Sequence, residues 1–238
     1  MGKYLIMKFS LIIPCYNEAA SLKQLLGRCG PIAAYEGFEV VLVDNGSTDN
    51  TASILQELLP QFPGCRSIQV QVNQGYGHGI LCGLKEAKGT VLGWTHADLQ
   101  TDPQDAIRAF QIFEDDPDEL FVKGRRYGRP LGDQLFTLGM SAFESILLGH
   151  CFWDINAQPT IFSKSFFDKW GTNTPNDFSL DLFAYYMAKR EKLTIKRFPV
   201  YFGKREHGVS HWNIDWNSKK KFISRTIAFS LALRKKFG

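Results

Sequence analysis

Through its first 110 residues the sequence alternates short apolar runs with segments whose apolar residues recur at helical spacing. Phe9 to Ile13 is an apolar run ending at Pro14, and Leu22, Leu25, Leu26 and Cys29 then share one helical face. The unit repeats as Phe38 to Val43, the turn-rich Asp44-Asn45-Gly46-Ser47-Thr48-Asp49, and a helix carrying Ala52, Leu55, Leu58 and Leu59. Next, Ile68, Val70 and Val72 alternate as a strand before Asn73-Gln74-Gly75, a helix runs from about Gly77 to Lys88, and Thr90 to Trp94 forms a further strand. Asp102-Pro103 supplies an N-cap and a first-turn proline for a fourth helix. Strands alternating with helices build a parallel sheet with right-handed crossovers, and ligands bind beyond the carboxyl ends of such strands. The expected class is therefore α/β, a Rossmann-like, mostly parallel sheet flanked by helices, becoming less regular after about residue 150.

At 238 residues and 44% hydrophobic content, the chain can bury the core of one large domain. The five cysteines (Cys15, Cys29, Cys65, Cys82 and Cys151) are odd in number and lack C-x-x-C spacing. They suggest neither a disulfide framework nor a zinc site, so a reducing, cytoplasmic setting is expected. Met-Gly-Lys-Tyr-Leu-Ile at the N-terminus is too short an apolar run for a signal peptide. Phe222 to Leu233, interrupted by Arg225, falls short of the ~20 residues that span a bilayer. The net charge of +4 resides in the tail: Lys219, Lys220, Lys221, Arg225, Arg234, Lys235 and Lys236 outweigh Asp215.

Three strand ends carry polar groups suited to chemistry. His96, Asp98 and Gln100 follow the strand ending at Trp94, and in an extended segment alternate residues face one side. They would offer one imidazole nitrogen and two oxygen ligands to a cation bridging two phosphates. The other reading of these residues is an N-capping loop. Pro14-Cys15-Tyr16-Asn17-Glu18 and Val43-Asp44-Asn45-Gly46-Ser47 leave the first two strands and bring an aromatic face, carboxylates and an amide suited to a nucleoside. Asn17 and Ser47 are expected to cap helices as well, since helix N-termini attract diphosphate. Gly75-x-Gly77-x-Gly79 mimics a dinucleotide fingerprint, but its spacing is not G-x-G-x-x-G and it sits at the third strand. These glycines are read instead as positions of close packing.

FSLIIPCYNEAASL, VVLVDNGSTDNT, NQGYGHGILCGLKEAKG and HADLQTDP, in that order, resemble glycosyltransferase family 2, nearest the dolichol-phosphate mannose synthase branch. The resemblance covers about residues 9 to 211 and implies a GT-A fold, a nucleoside diphosphate sugar donor and inversion at the sugar carbon. By position it implies donor binding by Pro14, Tyr16, Glu18, Val43, Asp44, Asn45, Asn73 and Ala97, and metal binding (Mn²⁺ or Mg²⁺) by His96, Asp98 and Gln100. Gly124-Arg125-Arg126-Tyr127 resembles G-S-R-Y, which makes Arg126 a phosphate contact. Arg205-Glu206-His207-Gly208-Val209-Ser210-His211 resembles R-x-x-G-x-S-K, a loop that closes over the diphosphate through Arg205 and His211. Asp181 occupies an acceptor-side helix position that carries an acid in the family. Asp98, Arg126, Asp181, Arg205 and His211 are thus the expected catalytic set. The implied organisation is a transferase domain over 1–211, with a donor half at about 9–110 and an acceptor half at about 111–211.

The chain departs from that pattern at three charged positions: His96 replaces an aspartate, Asn45 the second aspartate of V-D-D, and His211 a lysine. An imidazole suits Mn²⁺ better than Mg²⁺. Asp154-Ile155-Asn156-Ala157-Gln158-Pro159 matches the family's D-x-T-S-G-F-R only at its aspartate. A hydroxyl acceptor needs a base, Asp181 or Asp154, whereas a polyprenyl phosphate is already an anionic nucleophile. The phosphate is the preferred acceptor and a glycan hydroxyl the alternative. Residues 212–238 read as a basic amphipathic helix, placed either on an anionic membrane surface or against the domain. Nucleic acid is not an expected partner, because no basic-aromatic stripe appears elsewhere. Two other classes remain: a sugar nucleotidyltransferase, which should begin with a Gly-rich nucleotide loop, and a non-catalytic nucleotide-binding paralogue.

Overall fold

The computed structural model describes residues 8–114, 119–170, 174–205 and 216–237. Strands β1 (Phe9–Cys15) and β2 (Phe38–Asn45) are buried along their whole length, as expected of parallel strands covered on both faces. Helices α1 (Leu22–Ala33) and α2 (Thr51–Leu58) follow them, and β3 (Cys65–Val70) completes this edge of the sheet. Helix α3 (Tyr76–Glu86), β4 (Val91–Trp94) and α4 (Asp105–Phe113) finish the regular alternation.

Beyond Glu114 the described residues continue as regular elements. They comprise β5 (Leu120–Tyr127), α5 (Leu131–Leu148), β6 (Thr160–Ser163), α6 (Lys164–Asp168), α7 (Ser179–Arg190), β7 (Thr194–Tyr201) and α8 (Trp216–Phe237). All seven strands form one sheet in the order β3-β2-β1-β4-β6-β5-β7. Among the described residues, β6 alone breaks the parallel pattern, pairing antiparallel with both β4 and β5. The segment entering β6 therefore lies at the same edge of the sheet where the other strands leave.

The pleat divides the core into two layers. Leu11, Ile13, Val40 and Leu42 face α1 and α4, while Ile12, Val41 and Val43 face α3 and α7. Helix α8 lies along α5 and sends Leu233 into the second layer, with Phe229 and Phe237 partly buried beside it. Among the described residues no helix is long and apolar enough to cross a membrane.

Three local expectations change. Val72 lies beyond β3 and is 67% exposed, so the alternation ends at Val70. Helix α4 starts three residues after Asp102, with Gln104 as its N-cap residue. Asp102 instead holds the preceding turn, accepting the Gln104 N–H on its side chain and the Asp105 N–H on its carbonyl, both at 3.0 Å. Asn17 and Ser47 do not cap helices: α1 and α2 have Ser21 and Asn50 at their caps, with no side-chain capping bond.

Candidate active site

The loops leaving β1 and β2 are fastened to each other. Asn17 donates its backbone N–H to the Ser47 hydroxyl at 3.1 Å and accepts the Thr48 N–H on its side chain at 2.8 Å. The Glu18 N–H donates to the Thr51 hydroxyl at 2.9 Å. These bonds hold Asn17 at φ 55°, a left-handed conformation that asparagine tolerates better than most residues. Pro14, Tyr16 and Glu18 consequently form one wall of a cavity of about 400 Å³ at the carboxyl edge of the sheet.

Asn45 and Asn73 continue that wall. The Asn45 amide donates to the Gly75 carbonyl at 3.0 Å, and Asn73 accepts the Gly75 N–H at 2.8 Å. The glycines of α3 make room for this: a Cβ on Gly79 would lie 2.8 Å from the Asn45 side chain, and one on Gly77 would lie 2.6 Å from the Asp177 carbonyl. Their role in close packing, rather than in a dinucleotide turn, matches the sequence reading. Val43 and Asp44 stand behind the wall. The Val43 side chain belongs to the core beside α3, and Asp44 is 2% exposed and accepts the Ser47 N–H at 3.0 Å. Neither side chain is among those lining the cavity, and the second Asp44 carboxylate oxygen is buried without a partner among the described residues.

His96, Ala97, Asp98 and Gln100 all line the cavity, but not because the segment is extended. Strand β4 ends at Trp94, and Leu99 at φ 57° reverses the chain. A turn, rather than the strand pleat, brings the three polar side chains together. The Gln100 N–H donates to Asp98 at 3.2 Å. Gln100 also clasps Gly203, its side-chain amide donating to the Gly203 carbonyl at 3.1 Å while its own carbonyl accepts the Gly203 N–H at 2.7 Å. This clasp delivers Arg205, whose guanidinium reaches Asp98 at 3.3 Å and Glu18 at 3.7 Å. Burial raises the Glu18 carboxyl above its usual value, against the Ser21 hydrogen bond and Arg205, which lower it.

The His96 ring stacks on Tyr76 at 5.2 Å, and Tyr76 stacks on Phe178 at 4.5 Å with an interplanar angle of 13°. Burial pushes the imidazole below its ordinary value, although Asp98 and Asp181 pull it the other way. A neutral imidazole retains a lone pair for a metal. Among the described residues no three His, Cys, Asp or Glu side chains form a ready metal cage. Asp98, His96 and Gln100 are the residues that could hold a divalent ion here, offering an imidazole nitrogen and side-chain oxygens.

Arg126 lines the opposite wall and is fixed by Asp154. The Asp154 carboxylate accepts the Arg126 backbone N–H and Nε–H, each at 2.9 Å, and also its Nη2–H. Burial opposes ionisation of Asp154, but the Arg126 charge and hydrogen bonds and the Arg197 charge outweigh it and hold the carboxyl below its usual range. Arg126 and Arg129 both lie over the Phe202 ring, at 5.1 and 5.5 Å. Asp181 does not line the cavity. It is 1% exposed, 3.3 Å from Lys123 Nζ, and accepts from the Gln158 amide at 2.6 Å. Burial pushes Lys123 down to about 8, against the pull of Asp181. His211 lies outside the described residues.

Sequence reasoning missed Tyr76, Phe178, Arg129 and the α5 residues Phe136 and Thr137, all of which line the cavity. Tyr76 sits inside the NQGYGHG stretch, where an aromatic residue at the start of a glycine-rich helix was the available signal. The α5 residues carried none.

Residues 10–170 match the family model described as "Glycosyl transferase family 2". The chain belongs to that family. Among curated relatives, it is 39% identical over 112 residues to an undecaprenyl-phosphate 4-deoxy-4-formamido-L-arabinose transferase of Pseudomonas paraeruginosa, a match covering 45% of this chain and 33% of the relative. The corresponding protein of Edwardsiella ictaluri is 42% identical over 105 residues, covering 42% of this chain and 31% of that one. The matched stretch thus spans about a third of the length of these relatives. Among solved structures, the glucosyl-3-phosphoglycerate synthase from Mycobacterium tuberculosis in complex with Mn²⁺, uridine diphosphate and glucosyl-3-phosphoglycerate superposes with a TM-score of 0.71. It shares 17% identity, with 96% of this chain and 80% of that one covered. A mannosyltransferase from Pyrobaculum calidifontis in complex with GDP-Man and Mn²⁺ gives 0.68 at 17% identity, covering 97% and 65%. The architecture is accordingly the GT-A fold expected from the strand-end motifs.

Proposed function

We propose that this family 2 glycosyltransferase transfers a sugar from a nucleoside diphosphate to a polyprenyl phosphate at a membrane surface, inverting the sugar carbon. The observation that carries this reading is the composition of the cavity. One wall offers the Tyr16 ring and the Asn45 and Asn73 amides to a nucleoside, the floor brings Asp98 together with Arg205, and the far wall is formed by Arg126 and α5. The diphosphate would lie between Asp98 and Arg205, with His211 as a further contact implied by the family resemblance. A divalent ion, Mn²⁺ or Mg²⁺, bound by Asp98, His96 and Gln100 would neutralise charge on the departing diphosphate. Arg205 adds a permanent cation beside the same oxygens, and Arg126, oriented by Asp154, presents positive charge to the acceptor side.

The phosphate acceptor is favoured over a glycan hydroxyl because neither candidate base is available for proton abstraction. Asp154 is committed to Arg126 and held ionised, and Asp181 is buried against Lys123 and Gln158. A phosphate oxygen attacks without surrendering a proton. The outer surface supports a lipid carrier. On α5, Leu131, Leu135, Leu138 and Ile146 are 78%, 68%, 44% and 84% exposed, while Asp133, Phe136 and Thr137 of the same helix line the cavity. On α8, Ile223, Ile227 and Leu231 share a helical face with Lys220, Arg234 and Lys235, an arrangement that suits an anionic leaflet. The relatives named for undecaprenyl phosphate support the same acceptor class.

The test is to incubate the purified protein with UDP- and GDP-sugars, undecaprenyl phosphate in detergent micelles, and Mn²⁺ or Mg²⁺. A lipid-linked sugar is the expected product, read by mass spectrometry. Nucleotide binding without turnover would favour the non-catalytic paralogue, and transfer to oligosaccharide alone would favour the glycan reading.

A further inference from the structure

A second, smaller chamber of about 60 Å³ lies behind the cavity and shares Arg126, Phe136, Thr137, Asn156 and Phe178 with it. Its far wall includes Glu144 of α5 and Thr226 of α8. Glu144 is fully buried, and neither of its carboxylate oxygens accepts a hydrogen bond among the described residues. Its polar neighbour is Ser230, close enough to lower the carboxyl, but that hydroxyl donates to the Thr226 carbonyl at 2.9 Å. The one guanidinium lining the chamber, that of Arg126, is engaged by Asp154. A buried carboxyl group without a cationic partner in such a place costs stability, and an apolar residue would fill it at no such cost.

Direction along the cavity indicates what reaches this chamber. On the donor reading the nucleoside lies at Asn45 and Asn73 and the diphosphate at Asp98 and Arg205. That leaves the sugar for the remaining part of the cavity, where Phe178, Asn156, Phe136, Thr137 and Arg126 are shared with the chamber. We propose that the chamber is a subsite for an amino group on the transferred sugar, with Glu144 as its counter-ion. This inference rests on the donor reading above. An ammonium group supplies both the missing charge and three hydrogen-bond donors, whereas a hydroxyl supplies one donor and no charge. The chamber has room for a substituent of this size together with about one water molecule. Burial pushes the empty Glu144 carboxyl up to about 7, and an ammonium partner would restore its charge.

The test compares UDP- and GDP-linked hexoses with their 2-, 3- and 4-amino-deoxy counterparts by titration calorimetry on the whole chain. UDP and GDP alone serve as the reference. At least one amino sugar should bind about tenfold or more tightly than its hydroxyl parent, the scale of a hydrogen bond to a charged group. Glu144→Gln preserves the side-chain volume and should abolish that preference while leaving affinity for the bare nucleotide unchanged. A ¹³C-carboxyl signal absent from Glu144→Gln should shift to the ionised position at pH 6.5 when the amino sugar binds, but not when its parent does. An unchanged preference in Glu144→Gln, or no amino preference in the wild type, would overturn the subsite. Failure of both bare nucleotides to bind would instead remove the donor reading, and this inference with it.

Discussion

The guanidinium of Arg205 stands 3.3 Å from the Asp98 carboxylate and 3.7 Å from that of Glu18, so one cation joins the loops that leave β4 and β1. Asp98 thereby keeps an opposite charge within reach before any donor or metal arrives. On the proposed reading, a diphosphate entering the cavity would meet Arg205 with its oxygens.

Arg205→Ala should therefore weaken UDP or GDP binding by about 1.5–3 kcal/mol, the range for charge-assisted hydrogen bonds, and leave binding of the bare nucleoside unchanged. Calorimetry with nucleotide and nucleoside in parallel measures both. Equal losses for the two ligands would show that Arg205 maintains the cavity instead of contacting phosphate.

His96 predicts the choice of ion. Turnover should be faster with Mn²⁺ than with Mg²⁺, and His96→Asp should narrow or reverse the difference by supplying a hard oxygen ligand. Initial rates with each metal decide it. Equal rates with both ions, unchanged in His96→Ala, would rule out a metal role for this side chain.

Asp181 predicts a separation of stability from rate. Asp181→Asn leaves Lys123 buried without its counter-ion, which should cost about 3 kcal/mol or more in urea unfolding. Because Asp181 does not line the cavity, kcat at a temperature where the variant is folded should fall less than about tenfold, well short of the loss of a general base. A larger fall, with loss of the basic-side limb of the pH profile, would return Asp181 to the role of base.

The exposed stripe on α5 predicts membrane attachment. Leu135→Glu with Ile146→Glu changes two side chains that are 68% and 84% exposed, so folding should be unaffected. Flotation with vesicles of phosphatidylglycerol and phosphatidylcholine should recover the wild-type protein and lose the double variant. Recovery of both would place the lipid contact elsewhere.

Glu144 gives stability a pH dependence of definite sign. Its carboxyl is pushed up to about 7 by burial, whereas an unfolded glutamate titrates near 4.3, so between these values the folded state binds more protons. This contribution is fully present below about pH 4, declines as pH rises, and is lost above about pH 7, a change of up to about 4 kcal/mol. Glu144→Gln should therefore raise the unfolding midpoint relative to wild type at pH 8, with little difference at pH 4.5. Equal shifts at the two pH values would show that Glu144 does not titrate in this way.

Much of the donor half was legible in the sequence because its information is local. Apolar runs such as Phe9–Ile13 mark buried strands, and PCYNE, VDNGS and HADLQ occur at strand ends by virtue of that periodicity alone. The acceptor half depends on long-range pairing. Nothing near Thr160 announces a strand that runs against its neighbours, and nothing near Asp181 reveals that Lys123, far away in sequence, will take up its charge. The position of Asp181 on a helix suggested a base, while its burial is a property of the sheet beneath it. The meeting of His96, Asp98 and Gln100 was anticipated, but through a strand pleat; the left-handed Leu99 that produces it is not a residue type that signals a turn.

The antiparallel course of β6 also bears on how such a chain can change over generations. Its approach feeds residues 154–158 into one bank of the cavity, beside Arg126 and α5, while the other bank is built from loops bonded chiefly to one another: Asn17 to Ser47 and Thr48, Asn45 and Asn73 to Gly75. Among the described residues the banks meet through the Gln100–Gly203 clasp, the His78 N–H to the Asn176 carbonyl and the pairs of Arg205 with Asp98 and Glu18. On the proposed reading, substitutions beside Arg126 and α5 need rewrite little of the bank around Asn45 and Asn73, so a lineage could exchange its acceptor while inheriting the same hold on the nucleotide.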